Sequence, residues 1–386
     1  MSRRRVSAVC ALALALLVGG CSQGGSRDPA ARPPAGTGAP SASRSSSAAP
    51  ATPPARGSVK VLGTLTSGLD SPWGLAALPG GDLLVSSRDT GVVERVSVRD
   101  GRRTRLGRVP GVDPGGEGGL LGLAVPPTYG SDHQVYAYFT TASDNRIARM
   151  GYDPGKPAGH QLGAVHVVLR GIPKGQIHNG GRIAFGPDRM LYAGTGESGQ
   201  GGRAQDEKSP AGKILRMTPD GRPAPGNPDP SSVVYSSGHR NVQGLAWDRD
   251  GRLWASEFGQ DTWDELNLIR RGGNYGWPEV EGRRKDAGKF VNPVAQWHTD
   301  QASPSGVAYV AGSVWLAGLR GERLWRVPLT GPRAAARPQA FLTGRYGRLR
   351  TVLPAGDSQL WLVTSNTDGR GKPRRGDDRI LRLRVS

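Results

Sequence analysis

Only six histidines occur in the 386 residues, and one of them, His178, stands in the run QIHNGGRIAFGP (176–187) beside an asparagine and two glycines. A neutral imidazole near physiological pH can accept a proton, so His178 reads either as a catalytic base presented on a loop or as a polar residue that begins a strand. Other polar runs hold a comparable place, just ahead of an apolar stretch. GGEGG (115–119) carries Glu117, GHRNVQG (238–244) carries Arg240 and Asn241, and GRLRTV (347–352) carries Arg348 and Arg350. Taken singly, each reads equally well as a solvated or hydrogen-bonded surface group. The recurring position groups them. Clustered guanidinium groups suit a polyanionic ligand, because their planar forks hold carboxylates bidentately. The glycines beside His178 are expected to let the backbone approach such a ligand closely.

An acidic run, SEFGQDTWDELN (256–267), is followed by GGNYGWP (272–278). Carboxylates and exposed carbonyls on such loops suit a hard, oxygen-seeking cation, calcium before magnesium. The spacing does not match an EF-hand, and a solvated acidic loop is the competing reading.

These loops need a scaffold that converges them. From Ser58 onward one pattern recurs: WGLAALPGGDLLVSS (73–87), LLGLAVPPTYGSDHQVYAYF (120–139), GRIAFGPDRMLYAGT (181–195), QGLAWDRDGRLWASE (243–257), SGVAYVAGSVWLAGL (305–319) and RTVLPAGDSQLWLVT (350–364). Each is a hairpin signature, two apolar runs about a Gly/Asp/Pro turn. Short closing strands follow most copies, as in VVERVSV (92–98), RIARM (146–150), KILRM (213–217), ELNLI (265–269), RLWRV (323–327) and RILRLRV (379–385). Six copies at a period of roughly 55 residues approach the period of propeller repeats. A small sheet cannot bury both its faces alone, so radial stacking is the physical solution. The sequence therefore predicts an all-β chain, a six-bladed β-propeller over residues 58–386. An irregular two-sheet protein is the alternative.

The chain carries 51 Lys and Arg against 32 Asp and Glu, a formal net charge of +19. No basic block interleaved with aromatics is present, which argues against nucleic acid as a partner. Both cysteines lie in MSRRRVSAVCALALALLVGGC (1–21), a basic start, a short apolar run and small residues before Cys21. That order fits an export signal over residues 1–20, and the run is short of the ~20 residues a membrane span needs. Residues 21–57, rich in Ser, Ala, Pro and Gly, are expected to be a disordered tether.

Taken in order, GEGGLLGLAV, HNGGRIAFGPD, GHRNVQGLAWD, WDELNLI with GGNYGWP, and GRLRTV resemble the pyrroloquinoline quinone (PQQ) dependent glucose/sorbosone and aldose sugar dehydrogenases. The likeness runs from about Ser71 to the C-terminus. It implies PQQ over the channel, calcium beside it, and oxidation of aldose sugars at the anomeric carbon to lactones, with electrons passed to an external acceptor. His178 would match the base, Arg240 and Asn241 quinone contacts, and Arg348 and Arg350 the pair holding quinone carboxylates. Arg320 falls where the family has a lysine. Gly259 and Gln260 would offer carbonyls to one calcium, and Glu265 and Tyr275 would match a second calcium site. Val18–Cys21 resembles a lipobox, implying a lipid on Cys21 and a membrane-anchored, extracytoplasmic protein. Three further residues depart from the pattern: Glu117 replaces a glutamine near the quinone, Gln260 a proline and Phe258 a polar residue. An extra carboxylate beside a polyanion is unfavourable unless paired or protonated. A propeller that binds carbohydrate or cell-envelope components without redox turnover is the alternative.

Overall fold

A computed structural model describes residues 53–386. Six antiparallel sheets stand around a channel. In each sheet the innermost strand is the first of the predicted hairpin: Pro72–Ala77, Leu120–Ala124, Ile183–Phe185, Val242–Trp247, Pro304–Val310 and Leu349–Pro354. All six hairpins are present, and the six expected closing strands form, each as the third strand of its blade with a further strand outside it. The fourth, outermost strands carry little apolar pattern and are not legible in the sequence; His166–Ile172, for example, has a single buried residue. The outer strand of the sixth blade comes from the other end of the chain, where Val59–Thr66 pairs antiparallel with Ile380–Val385. That pairing closes the ring.

The apolar core lies in the seams between blades. Leu84, Leu106, Leu120 and Phe139 fill the seam between blades 1 and 2, and Tyr138, Ile147, Ile183 and Leu215 the next. Ile214, Val242 and Leu253 join blades 3 and 4, and Trp254, Leu266 and Leu316 join 4 and 5. Trp315, Leu360 and Leu381 fill the fifth seam, while Leu75, Leu83, Val363 and Ile380 seal blade 6 to blade 1. Each fully buried aliphatic side chain contributes roughly 1.5–3 kcal/mol, so every blade depends on its neighbours. The inner strands approach very closely: a Cβ on Gly122 would lie 2.2 Å from the carbonyl oxygen of Gly181 on the next blade, and one on Gly244 would lie 2.4 Å from that of Ser305.

The body begins earlier than the composition suggests. Pro54 accepts a hydrogen bond from Nη2 of buried Arg326 (2.9 Å), and the Gly57 amide donates to Gln339 Oε1 (2.9 Å). Pro53–Gly57, assigned to the tether by composition, thus pack on blade 5. The export signal and Cys21 lie outside the described residues.

Candidate active site

Because the first two strands of a blade are antiparallel, the start of the first and the end of the second reach the same rim of the channel. Both sets of loops build the site. The inner strands are irregular just there. Register shifts fall between Pro72 and Leu75, Val242 and Gly244, and Leu349 and Thr351. Bulges re-aim side chains, and Trp73, Gln243 and Arg350, which sit at these shifts, all face the cavity at the rim.

That cavity, about 200 Å³, is lined by Glu117 of blade 2, Arg320 of blade 5, and Arg348 and Arg350 of blade 6, with Arg88, Asp368 and Arg370. Four of the residues expected to bind a ligand, Glu117, Arg320, Arg348 and Arg350, thus line one cavity. Five guanidinium groups and two carboxylates line it, an excess of three positive charges among the lining residues, with Arg88 also held by Asp89 behind it (2.6 Å). Asp368 organises the centre: its Oδ2 accepts from Nη2 of Arg348 (2.9 Å) and from Nη2 of Arg350 (3.1 Å). Burial opposes ionisation of Asp368, but the charges of Arg350 and Arg348 prevail and hold it down to about 2. Burial lowers Arg350 to about 10, so it stays charged at neutral pH. The indole of Trp73 forms the floor, with the Arg182 guanidinium 4.5 Å and the Arg350 guanidinium 5.7 Å from its ring centre.

His178 is not among the residues lining this cavity but is tied to its edge through the backbone. Its amide donates to Glu117 Oε2 (2.8 Å), which ties the His178 loop to a lining residue. Its Nδ1 lies 2.5 Å from Oε1 of buried Glu197, at the end of the second strand of blade 3. A carboxylate at Nδ1 fixes the tautomer with the proton there and leaves Nε2 as the acceptor. His178 is itself left-handed, with φ 56°, a conformation tolerated only where surroundings enforce it. The two glycines after it serve packing. A Cβ on Gly180 would lie 2.5 Å from the Gly194 carbonyl oxygen, and one on Gly181 2.6 Å from Leu121 Cδ1. Both positions are thus in close contact with blades 2 and 3.

Arg240 and Asn241 adjoin the His178 loop and are not among the residues lining the rim cavity. Asn241 Oδ1 accepts from the Gly180 amide (3.0 Å), and its Nδ2 is buried with no partner. Arg240 Nε is likewise buried and unpartnered, as is Glu197 Oε2. Arg240 lines a second, much smaller cavity of about 10 Å³ with Gly259, Glu265, Tyr275, Glu257 and Glu281; Phe258 borders both cavities. Gln260 is exposed and lines neither.

The acidic loop has a definite architecture. The amides of Gln260 (2.8 Å) and Trp263 (2.9 Å), with those between them, all donate to Glu281 Oε1, and the Gly259 amide donates to Asp264 Oδ1 (3.0 Å). With the amides engaged inward, the carbonyls of Gly259 and Gln260 accept no hydrogen bond among the described residues. Burial raises Asp264 to about 7, and burial together with the neighbouring Glu257 pushes Glu265 up. A cation would relieve that penalty. Glu265 already accepts from Gly282 (2.8 Å) and Asn267 (2.9 Å), and the Tyr275 hydroxyl donates to the Leu268 carbonyl (2.6 Å), so Tyr275 could offer only its own carbonyl. Among the described residues no three His, Cys, Asp or Glu side chains converge as a metal cage. The fit is therefore to a cation held largely by carbonyls.

Arg88, Glu197, Asp368 and Arg370 escape the sequence reading. All four follow second strands, in SRD, GTGE and SNTDGRG, and the signal available was their place in the repeat.

The fold and rim place the chain among propellers that hold an anionic ligand at the channel mouth. The glucose/sorbosone dehydrogenase model matches residues 69–381, and the chain belongs to that family. The structure of the PQQ-bound form of aldose sugar dehydrogenase from Streptomyces coelicolor is 72% identical, with a TM-score of 0.86, covering 86% of this chain and 100% of that one. Aldose sugar dehydrogenase YliI of Escherichia coli is 27% identical over 78% of this chain and 89% of its own length. Quinoprotein glucose dehydrogenase B of Acinetobacter calcoaceticus is 32% identical over 58% of this chain and 53% of its own length.

Proposed function

We propose that this protein is a PQQ-dependent sugar dehydrogenase that oxidises the anomeric carbon of aldoses to lactones and passes the electrons to an external acceptor. The observation that carries the reading is an excess of three positive charges in one rim cavity beside an imidazole oriented by a carboxylate. PQQ is a flat tricarboxylate, and Arg320, Arg348 and Arg350 would hold its carboxylates, whereas Arg240 and Asn241, which the resemblance makes quinone contacts, are not among the residues lining this cavity. Gly259 and Gln260 would hold Ca2+ through their carbonyls, and Glu265 and Tyr275 a second one. When bound, PQQ supplies the acceptor for the hydride that the sugar C1 loses, and Ca2+ the positive charge that polarises that acceptor.

The chain supplies the proton path. His178 Nε2 takes the proton of the anomeric hydroxyl as C1 is oxidised to the lactone carbonyl. Glu197 keeps the imidazole in the accepting tautomer and offsets the imidazolium that forms. Arg370 pairs with Glu117 (2.8 Å) and supplies the counter-charge that an anionic cofactor needs beside this carboxylate. Export and lipidation at Cys21 are proposed with this function, since they would place the enzyme where sugars and acceptors are met.

The test is steady-state. Purified protein is loaded with PQQ and calcium and offered a panel of aldoses with an artificial electron acceptor. Sugar-dependent dye reduction with lactone formation is expected; sugar binding without dye reduction would return the non-redox reading.

A further inference from the structure

Glu117 and Arg370 are 253 positions apart, yet they meet at the cavity edge, Arg370 Nη1 to Glu117 Oε1 at 2.8 Å. Glu117 stands in the glycine-rich loop before the first strand of blade 2, Arg370 in the loop after the second strand of blade 6, and both line the cavity. The two ends of the contact differ. The Glu117 side chain is 15% exposed and the Arg370 side chain 54%. The second Glu117 oxygen accepts the His178 amide (2.8 Å), and the Glu117 amide donates to the Gln176 carbonyl (2.9 Å). Glu117 thus has one hand on the surface arginine and the other on the loop that presents His178. Burial works against its ionisation, but Arg370 and the His178 amide hold it below the ordinary range, so the carboxylate is charged in the folded protein.

A charged carboxylate facing a cavity for a polyanion repels the ligand unless a cation cancels it. We propose that Arg370 is a positioning residue for the cofactor site: with Glu117 it forms a charge-neutral clasp that lets the carboxylate grip the His178 loop without repelling an anionic cofactor. This rests on the reading of the cavity as a PQQ site. The clasp makes a definite statement about coupling. Removing Arg370 alone leaves Glu117 uncompensated and cuts the positive excess from three to two. Removing the Glu117 charge alone raises it to four. Removing both restores three.

The experiment is a charge cycle read by PQQ affinity, measured by fluorescence quenching or calorimetry in calcium at low and moderate salt, on full-length protein and on R370A, E117Q and E117Q/R370A. We expect R370A to weaken PQQ by on the order of tenfold, E117Q not to weaken it, and the double variant to return close to wild type. R370K, which keeps the charge, should recover most of the loss. R370A indistinguishable from wild type, or a double variant as weak as R370A, would overturn the clasp; the second result would mean that Arg370 attracts the ligand independently of Glu117. Wild-type protein that binds no PQQ would overturn the cofactor reading as well. Melting temperatures of the four proteins without PQQ separate fold from site: similar values with a broken affinity pattern support the clasp, whereas a loss of affinity that only follows a loss of stability overturns it.

Discussion

Asp368 shows how much one residue at the rim decides. It gathers Arg348, Arg350 and Ser365 at one oxygen, and without it the buried Arg350 and half-buried Arg348 guanidinium groups would face each other without that counter-charge. Its ordinary value of 3.8 is depressed to about 2. The sign follows from linkage: a carboxyl lowered on folding stabilises the protein above its unfolded value, and that stability is lost as pH falls through about 4 to about 2. The shift corresponds to about 2–3 kcal/mol. Asp368→Asn should therefore lower stability by about this amount at pH 7 in denaturant titrations, with the gap to wild type closing near pH 2. A gap that persists unchanged in acid would place the effect in packing and not in charge. PQQ affinity of this variant should hold or rise, since the cavity gains positive excess.

At the scale of elements, the hairpin is the unit that delivers chemistry. One strand enters from the rim, the next returns to it, and the loop residues at both ends face inward. The inner hairpins were legible because each buries both strands and so writes an apolar run, a turn and a second run, as in QGLAWDRDGRLWASE. His178, Glu117 and the arginines of blade 6 were legible because they precede those runs. Glu197, Asp368 and Arg370 were not, because an acidic or basic residue after a strand looks like any solvated loop until the antiparallel return is known. The outer strands were missed for the opposite reason: half-exposed, they carry no period that distinguishes them from loops. Glycine in the inner strands reads as a weakness of the sheet and proves to be a contact. Gly122→Ala would press a methyl on the Gly181 carbonyl and is expected to destabilise by about 1–3 kcal/mol. Gly63→Ala, on the outer strand of blade 6 with nothing within 4 Å of the added Cβ, should shift the midpoint little. Equal midpoints for the two in urea titrations would contradict the blade-to-blade contact.

For the molecule as a whole, six seams and one chain-closing pair make the site a property of the intact ring. Among the described residues no helix is long and apolar enough to cross a membrane. The acidic loop of blade 4 holds carboxylates that burial forces toward protonation, and calcium is the natural relief. Chelation should lower the melting temperature of the protein, calcium should restore it, and Glu265→Gln should shrink that increment; a melting temperature insensitive to calcium in the unsubstituted protein would contradict a cation site on this loop. The central claim joins the cavity to His178, and titration of PQQ into calcium-loaded protein, followed by addition of an aldose, tests it most directly. Wild-type protein and His178→Ala should both bind one PQQ per chain, and the aldose should then reduce the cofactor on the order of 10²–10⁴ times faster in the wild type. Failure of the wild type to bind PQQ, or equal rates of reduction in the two proteins, would contradict the account.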